Sequence, residues 1–208
     1  MVTPASATLS APHTFDLSAG ALCLDFANTV SNRGSEAPID RLNAYADFLS
    51  WSEQSGAAAP PQVRELSRVA AAHPSAARDA LALAAGVREA LYRLFASAAA
   101  GKRPRPADLA LVNEQVPLAF KRSRIASAGD RYVLRVDSSS DDLLSPLAPV
   151  IKSAIDLLTS SAIDRVRTCA ADTCEWLFLD TTKNRTRRWC DMKVCGNREK
   201  VRRFRSRS

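Results

Sequence analysis

Four of the five cysteines in this 208-residue chain crowd into 27 residues near its C-terminal end, in two pairs of equal spacing. Cys169 and Cys174 have four residues between them, Cys190 and Cys195 again four, and 15 residues separate the pairs. A tetrahedral zinc ion takes soft thiolate donors at about 2.3 Å. Each short pair bends the backbone so that two sulfurs meet one ion, and the insert closes the loop between pairs. In a reducing compartment such a cluster reads as metal ligands ahead of disulfides. A chance group of buried thiols or a thiol redox pair is the alternative. Four protein donors fill the tetrahedron, so the expected single Zn2+ is structural, with no open position for catalysis.

Charge singles out the same segment. The chain carries +7 overall, yet residues 1–160 hold 16 basic and 16 acidic side chains, while residues 161–208 hold 13 and 6. Lys183, Arg185, Arg187 and Arg188 lie in the insert; Arg198, Lys200, Arg202, Arg203 and Arg205 follow the last cysteine, with Arg207 beyond. A localised positive field concentrates polyanions, and guanidinium forks grip phosphates and read guanine edges. These nine residues are the candidate nucleic-acid surface, with duplex DNA the expected partner. RNA or a protein partner is the alternative, which the sequence does not separate. Trp176, Phe178 and Trp189 either stack on bases or, as the small size of the module favours, form its mini-core.

Several elements must position these groups. The insert is expected to form a hairpin, with an apolar arm at 175–180, a tip at 181–185 and a basic arm at 186–189. After Cys195, Asn197 is expected to cap a helix with Glu199 in its first turn. Val201 and Phe204 would then face the metal core, leaving Arg198, Arg202 and Arg205 as an outward row. Upstream, Leu22, Phe26 and Val30 form a helical stripe. Asp40 is expected to cap a helix to about Ser52, Pro60-Pro61 to open the next, and Pro74 a long Ala- and Leu-rich one to about Ala99. Val87, Leu91, Leu94 and Phe95 are its expected core face. A short helix at 108–116, a hairpin of 124–127 with 131–136, and an apolar helix over 143–158 complete an α+β chain. It divides into a mostly helical domain, 15–160, and a zinc module, 161–208.

No dinucleotide or phosphate-loop motif is present, and His13 and His73 sit in Pro- and Ala-rich surroundings, so the chain reads as a binder and not an enzyme. Cys23 lies in an apolar stripe and is expected to be a buried small hydrophobe. Asp25, Asn28 and Arg33 are candidates for an effector pocket, although capping and core hydrogen bonds also use such residues. The polar start lacks a secretory pattern and no apolar run suits a membrane, which points to the cytoplasm. Arginine outnumbers lysine 23 to 6, as in GC-rich bacterial genomes.

The tetrad Cys195-Gly196-Asn197-Arg198 resembles the signature of CGNR-type zinc fingers. The run Leu22-Cys23-Leu24-Asp25-Phe26-Ala27-Asn28-Thr29-Val30 resembles the opening of the ABATE domain that precedes such fingers in stress-induced transcription regulators. The resemblance implies an α/β regulatory domain, a treble-clef finger ligated by Cys169, Cys174, Cys190 and Cys195, and a DNA-binding role. A small-molecule effector or homodimerisation would act through the first domain.

Overall fold

The computed structural model describes residues 13–121, 123–136 and 142–205. Seven α-helices and three two-stranded antiparallel sheets are described, with short 3-10 and π-helical turns at Ser161–Arg165 and Met192–Gly196. They run α1 (Leu22–Ala27), β1 (Val30–Ser31), β2 (Ile39–Asp40), α2 (Tyr45–Gln54), α3 (Pro60–Ala72), α4 (Pro74–Ala99) and α5 (Pro106–Phe120). Then come β3 (Ser123–Ala128), β4 (Arg131–Val136), α6 (Leu147–Leu158), β5 (Val166–Thr168), β6 (Leu177–Leu179) and α7 (Asn197–Arg205). Among the described residues, no helix is long and apolar enough to cross a membrane.

The 26-residue α4 is the spine. Alanine and leucine give it propensity, and Pro74 starts it where a missing N–H costs nothing. Gly101, at φ +63°, ends it: Gly101 N–H bonds the Ala98 carbonyl and Lys102 N–H reaches Ser97 at 2.8 Å, a Schellman cap. Its expected face, Val87, Leu91, Leu94 and Phe95, is buried against α1, α2 and α5. Phe26, Phe48 and Trp51 fill the other side of the core, with the Phe26 and Trp51 rings 4.9 Å apart.

Several expectations shift. Asp40 does not cap α2. It lies on β2, where its carboxylate takes two hydrogen bonds from the buried Arg88 guanidinium at 2.8 and 2.6 Å. The start of α2 is held instead by Asp47, reaching back to the N–H groups of Asn43 and Ala44. An ion pair with a buried arginine outbids a cap that water can replace. The helix expected at 108–116 runs from Pro106 through Pro117 to Phe120, because Ala119 packs into the core. The first four residues of the 143–158 segment are turn, and the helix begins at Leu147.

The largest correction concerns the insert hairpin. β6 pairs with β5, not with residues 186–189, so the first cysteine pair sits in the turn between the strands. Val166 and Leu177 from these strands are fully buried in the same core as α4. The cysteine-bearing segment is therefore built onto the helical part instead of being tethered to it.

Candidate metal centre and basic surface

Cys169 leaves β5 directly, and Cys174 closes a tight turn by donating its N–H to the Ala171 carbonyl at 2.9 Å. Cys190 ends the long insert and donates its N–H to Cys169 Sγ at 3.4 Å. Cys195 lies in a π-helical turn, Met192–Gly196, pinned by Asp191, whose side chain accepts from Val194 N–H at 2.8 Å. All four sulfurs are buried and lie within 4.8 Å of one another. Cys190 Sγ stands 3.6 Å from both Cys174 Sγ and Cys195 Sγ.

The donor set fits zinc. Four sulfurs at about 2.3 Å from one ion stand ~3.8 Å apart, close to the spacing seen. Their electrostatics ask for a cation. Hydrogen bonds from Cys174 and Cys190 hold the Cys169 thiol far below its ordinary range. The same contacts push Cys174 and Cys190 up, and burial pushes Cys195 up. Thiolates packed this closely repel one another, and a divalent ion lets all four ionise. The four cysteines form a structural zinc site with its coordination filled by protein.

The surroundings of the cluster include the three expected aromatic residues and one residue, Asp180, that sequence reasoning passed over. Phe178 is fully buried against the sulfurs, with Trp176 and Trp189 packed around them, so the aromatic residues form the mini-core. Asp180, wholly buried, accepts from Thr182 N–H, Thr182 Oγ1 and Arg187 N–H, which folds the insert back. Burial alone would raise its carboxyl, but these hydrogen bonds outweigh it and hold it low. The Asp-Thr-Thr sequence was a legible turn signal for this.

The expected basic residues separate into two groups. Lys183, Arg185, Arg188, Arg198, Lys200 and Arg205 are exposed. Arg187 lies over the Phe178 ring, 4.6 Å from its centroid, and donates to the carbonyls of Trp189 and Cys190. Arg202 is exposed but ion-paired to Asp172 at 2.9 Å and Glu199 at 2.8 Å. The side chain of Arg203, and Arg207, lie outside the described residues. Asn197 does not cap α7: it is its first helical residue, and its Nδ2 donates to the Lys193 carbonyl. Val201 and Phe204 do not face the metal core, being 50% and 75% exposed. Glu199 turns inward instead, 6% exposed, which leaves cations on the outer side of α7.

Residues 20–161 match the ABATE family profile, "putative stress-induced transcription regulator", and residues 165–208 match the CGNR zinc finger. The chain belongs to the ABATE family. No curated protein matches it. The family's opening motif turns out to be the seat for the finger. Asn28, 4% exposed, donates its Nδ2 to the Leu177 carbonyl at 2.8 Å and accepts from Leu177 N–H at 2.9 Å. Further along the same edge of β6, Leu179 N–H bonds the Ala19 carbonyl at 2.8 Å. Trp176 Nε1 reaches the Val30 carbonyl, and Tyr92 Oη the Glu175 carbonyl. Gly34 leaves no room for a side chain, since a Cβ there would collide with the Asp172 carbonyl between the first two ligands.

Of the candidate effector residues, Asp25 and Asn28 line a cavity of about 180 Å³. Arg33 stands elsewhere, held by both carboxylate oxygens of Glu89 at 2.7 and 2.9 Å and lying over the Tyr92 ring. Cys23 is wholly buried, and burial pushes its thiol up to about 12, as befits a core residue. Burial likewise raises the Asp25 carboxyl to about 6 against one bond, from Ala19 N–H, that favours the charge. Between about pH 4 and pH 6 the folded chain thus holds a proton that the unfolded chain has lost, so this group lowers stability as pH rises through that window. A shift of two units corresponds to ~3 kcal/mol. Asp25→Asn keeps the acceptor for Ala19 and should stabilise the chain by about 2–3 kcal/mol at pH 8, with a smaller gain at pH 5. Urea unfolding at both values checks this; equal gains, or a loss at pH 8, would contradict it.

Proposed function

We propose that this chain is a cytoplasmic transcription regulator that binds duplex DNA through the 181–189 loop and α7. Residues 15–160 serve as the regulatory part, and residues 161–208 make the grip. The observation that carries this reading is the exposure of Lys183, Arg185, Arg188, Arg198, Lys200 and Arg205 on two segments that the four cysteines pin. Their acidic neighbours are spent: Glu199 is buried, and Asp191 caps its own turn. Phosphate contacts release counterions, so log affinity should fall with log salt by about 0.9 per contact.

Anisotropy titrations of the zinc-loaded chain against duplex DNA, single strands and RNA at several salt concentrations test it. Lys200→Ala and Arg205→Ala should each weaken duplex binding and flatten the slope by about one. Arg187→Ala should lower thermal stability with little change in slope, since its guanidinium is committed to the loop. Unchanged binding after the exposed cations are neutralised would overturn the reading. The exposed Met192, Val194, Val201 and Phe204 favour a protein partner as the second reading, and absence of nucleic-acid binding at low salt would select it.

A further inference from the structure

Where the finger meets the ABATE opening motif, two adjoining cavities of about 300 and 180 Å³ share Asp16, Ser31, Arg41 and Trp176 in their walls. Their chemistry is unspent. Arg41 is half-buried, and its Nε is shut off from solvent without a hydrogen-bond partner. Among the described residues its guanidinium makes no hydrogen bond or ion pair. Arg198, from the CGNR tetrad, lines the larger cavity, and among the described residues its guanidinium has only a long 3.4 Å contact to Thr173 Oγ1. Asp25, 8% exposed, lines the smaller one, and among the described residues its carboxylate accepts the Ala19 N–H bond alone. Trp176 supplies an aromatic wall whose Nε1 is already satisfied by Val30. A wider cleft of about 630 Å³, beside α6, lacks this character, because Lys152 and Asp156 in its wall neutralise each other at 2.5 Å.

An unpaired guanidinium in a partly enclosed cleft is an anion site, and its planar fork suits a carboxylate or phosphate. The larger cavity, about 300 Å³, is also walled by Asp191 and by the metal ligands Cys174, Cys190 and Cys195, so the ion takes part of it and the space left suits a ligand of one ring. We propose that this junction binds a small aromatic oxyanion, with the anion on Arg41 and Arg198, the ring against Trp176 and a hydrogen-bond donor on Asp25. Arg198 also belongs to the proposed DNA surface, so the ligand draws it away from phosphate and lowers DNA affinity. That consequence rests on the DNA-binding reading; ligand binding itself does not.

The test uses the zinc-loaded full chain and two probes, 4-aminobenzoate and phenyl phosphate, followed by calorimetry and tryptophan fluorescence. Saturable binding of either is expected, and the stronger of the two identifies the anion. Arg41→Gln should weaken it at least tenfold, which is about 1.4 kcal/mol. Arg198→Gln, at an exposed position where folding is not at stake, should weaken it as well, and Lys121→Gln, at an exposed cation outside both cavity walls, should not. Thermal melts confirm that each variant is folded. The proposal is overturned if neither probe binds, or if both arginine variants bind like the parent chain. It is also overturned if no probe binds while Arg41→Gln weakens duplex DNA, because Arg41 would then be a contact for backbone phosphate.

Discussion

Chelating the zinc, or replacing Cys169 by Ser, should unfold residues 165–208 and loosen the helical part behind them. Zinc binding and folding are one equilibrium in such modules, worth about 10–16 kcal/mol in finger peptides at neutral pH. Without the ion the crowded thiolates lose their compensating charge and take up protons, and the insert loses the closure that Cys174 and Cys190 give it. The loss extends beyond the finger because Val166 and Leu177 belong to the main core. Hydrogen exchange should therefore show residues 165–208 losing protection, α1 and the 28–35 turn following, and α3 largely unaffected. Metal analysis of the parent chain should give one zinc per chain. Zinc content near zero, or melting and exchange unchanged in Cys169→Ser and Cys190→Ser, would contradict this. A chain truncated after Leu158 should, by the same reasoning, melt well below the intact protein.

Asn28→Ala should be nearly as damaging locally. The Asn28 amide acts as a one-residue strand on the open edge of β6, satisfying both polar groups of Leu177 within a buried interface. Its removal leaves a buried N–H and a buried C=O unpaired, each costing about 1–3 kcal/mol. The expected loss is about 2–5 kcal/mol, or roughly 5–15 °C in Tm for a chain of this size. Replacement by Asp keeps the acceptor for Leu177 N–H but sets an anion against the carbonyl, so it should not rescue. Thermal melts of both variants decide this. A shift below 2 °C in Asn28→Ala would show that water replaces the amide and that the finger is not keyed to the opening motif.

Local chemistry made much of this protein legible from its sequence. The cysteine spacing gave the metal centre, since ligand identity and short loops fix a tetrahedral site almost without regard to the fold. Proline starts, the glycine stop at Gly101 and the stripe through Val87, Leu91 and Phe95 gave α3 and α4, because these signals act within a few turns of chain. The localisation of charge was equally plain.

Tertiary structure decided what depended on distant partners. Asp40 reads locally as a cap, but Arg88, 48 residues away, claims it. Nothing near β6 announces that its partner lies before Cys169, because pairing is chosen by which strand can also bury Val166 and Leu177 against α4. The helical spacing of Val201 and Phe204 is real, yet α7 turns Glu199 inward, where Arg202 meets it at 2.8 Å. Arg187 and Arg188 are neighbours of one type, and only the fold commits Arg187 to the loop and leaves Arg188 exposed. The sequence sets which residues can ligate, pair or carry charge. Which of them remain unspent, as at Arg41, depends on the neighbours that folding brings.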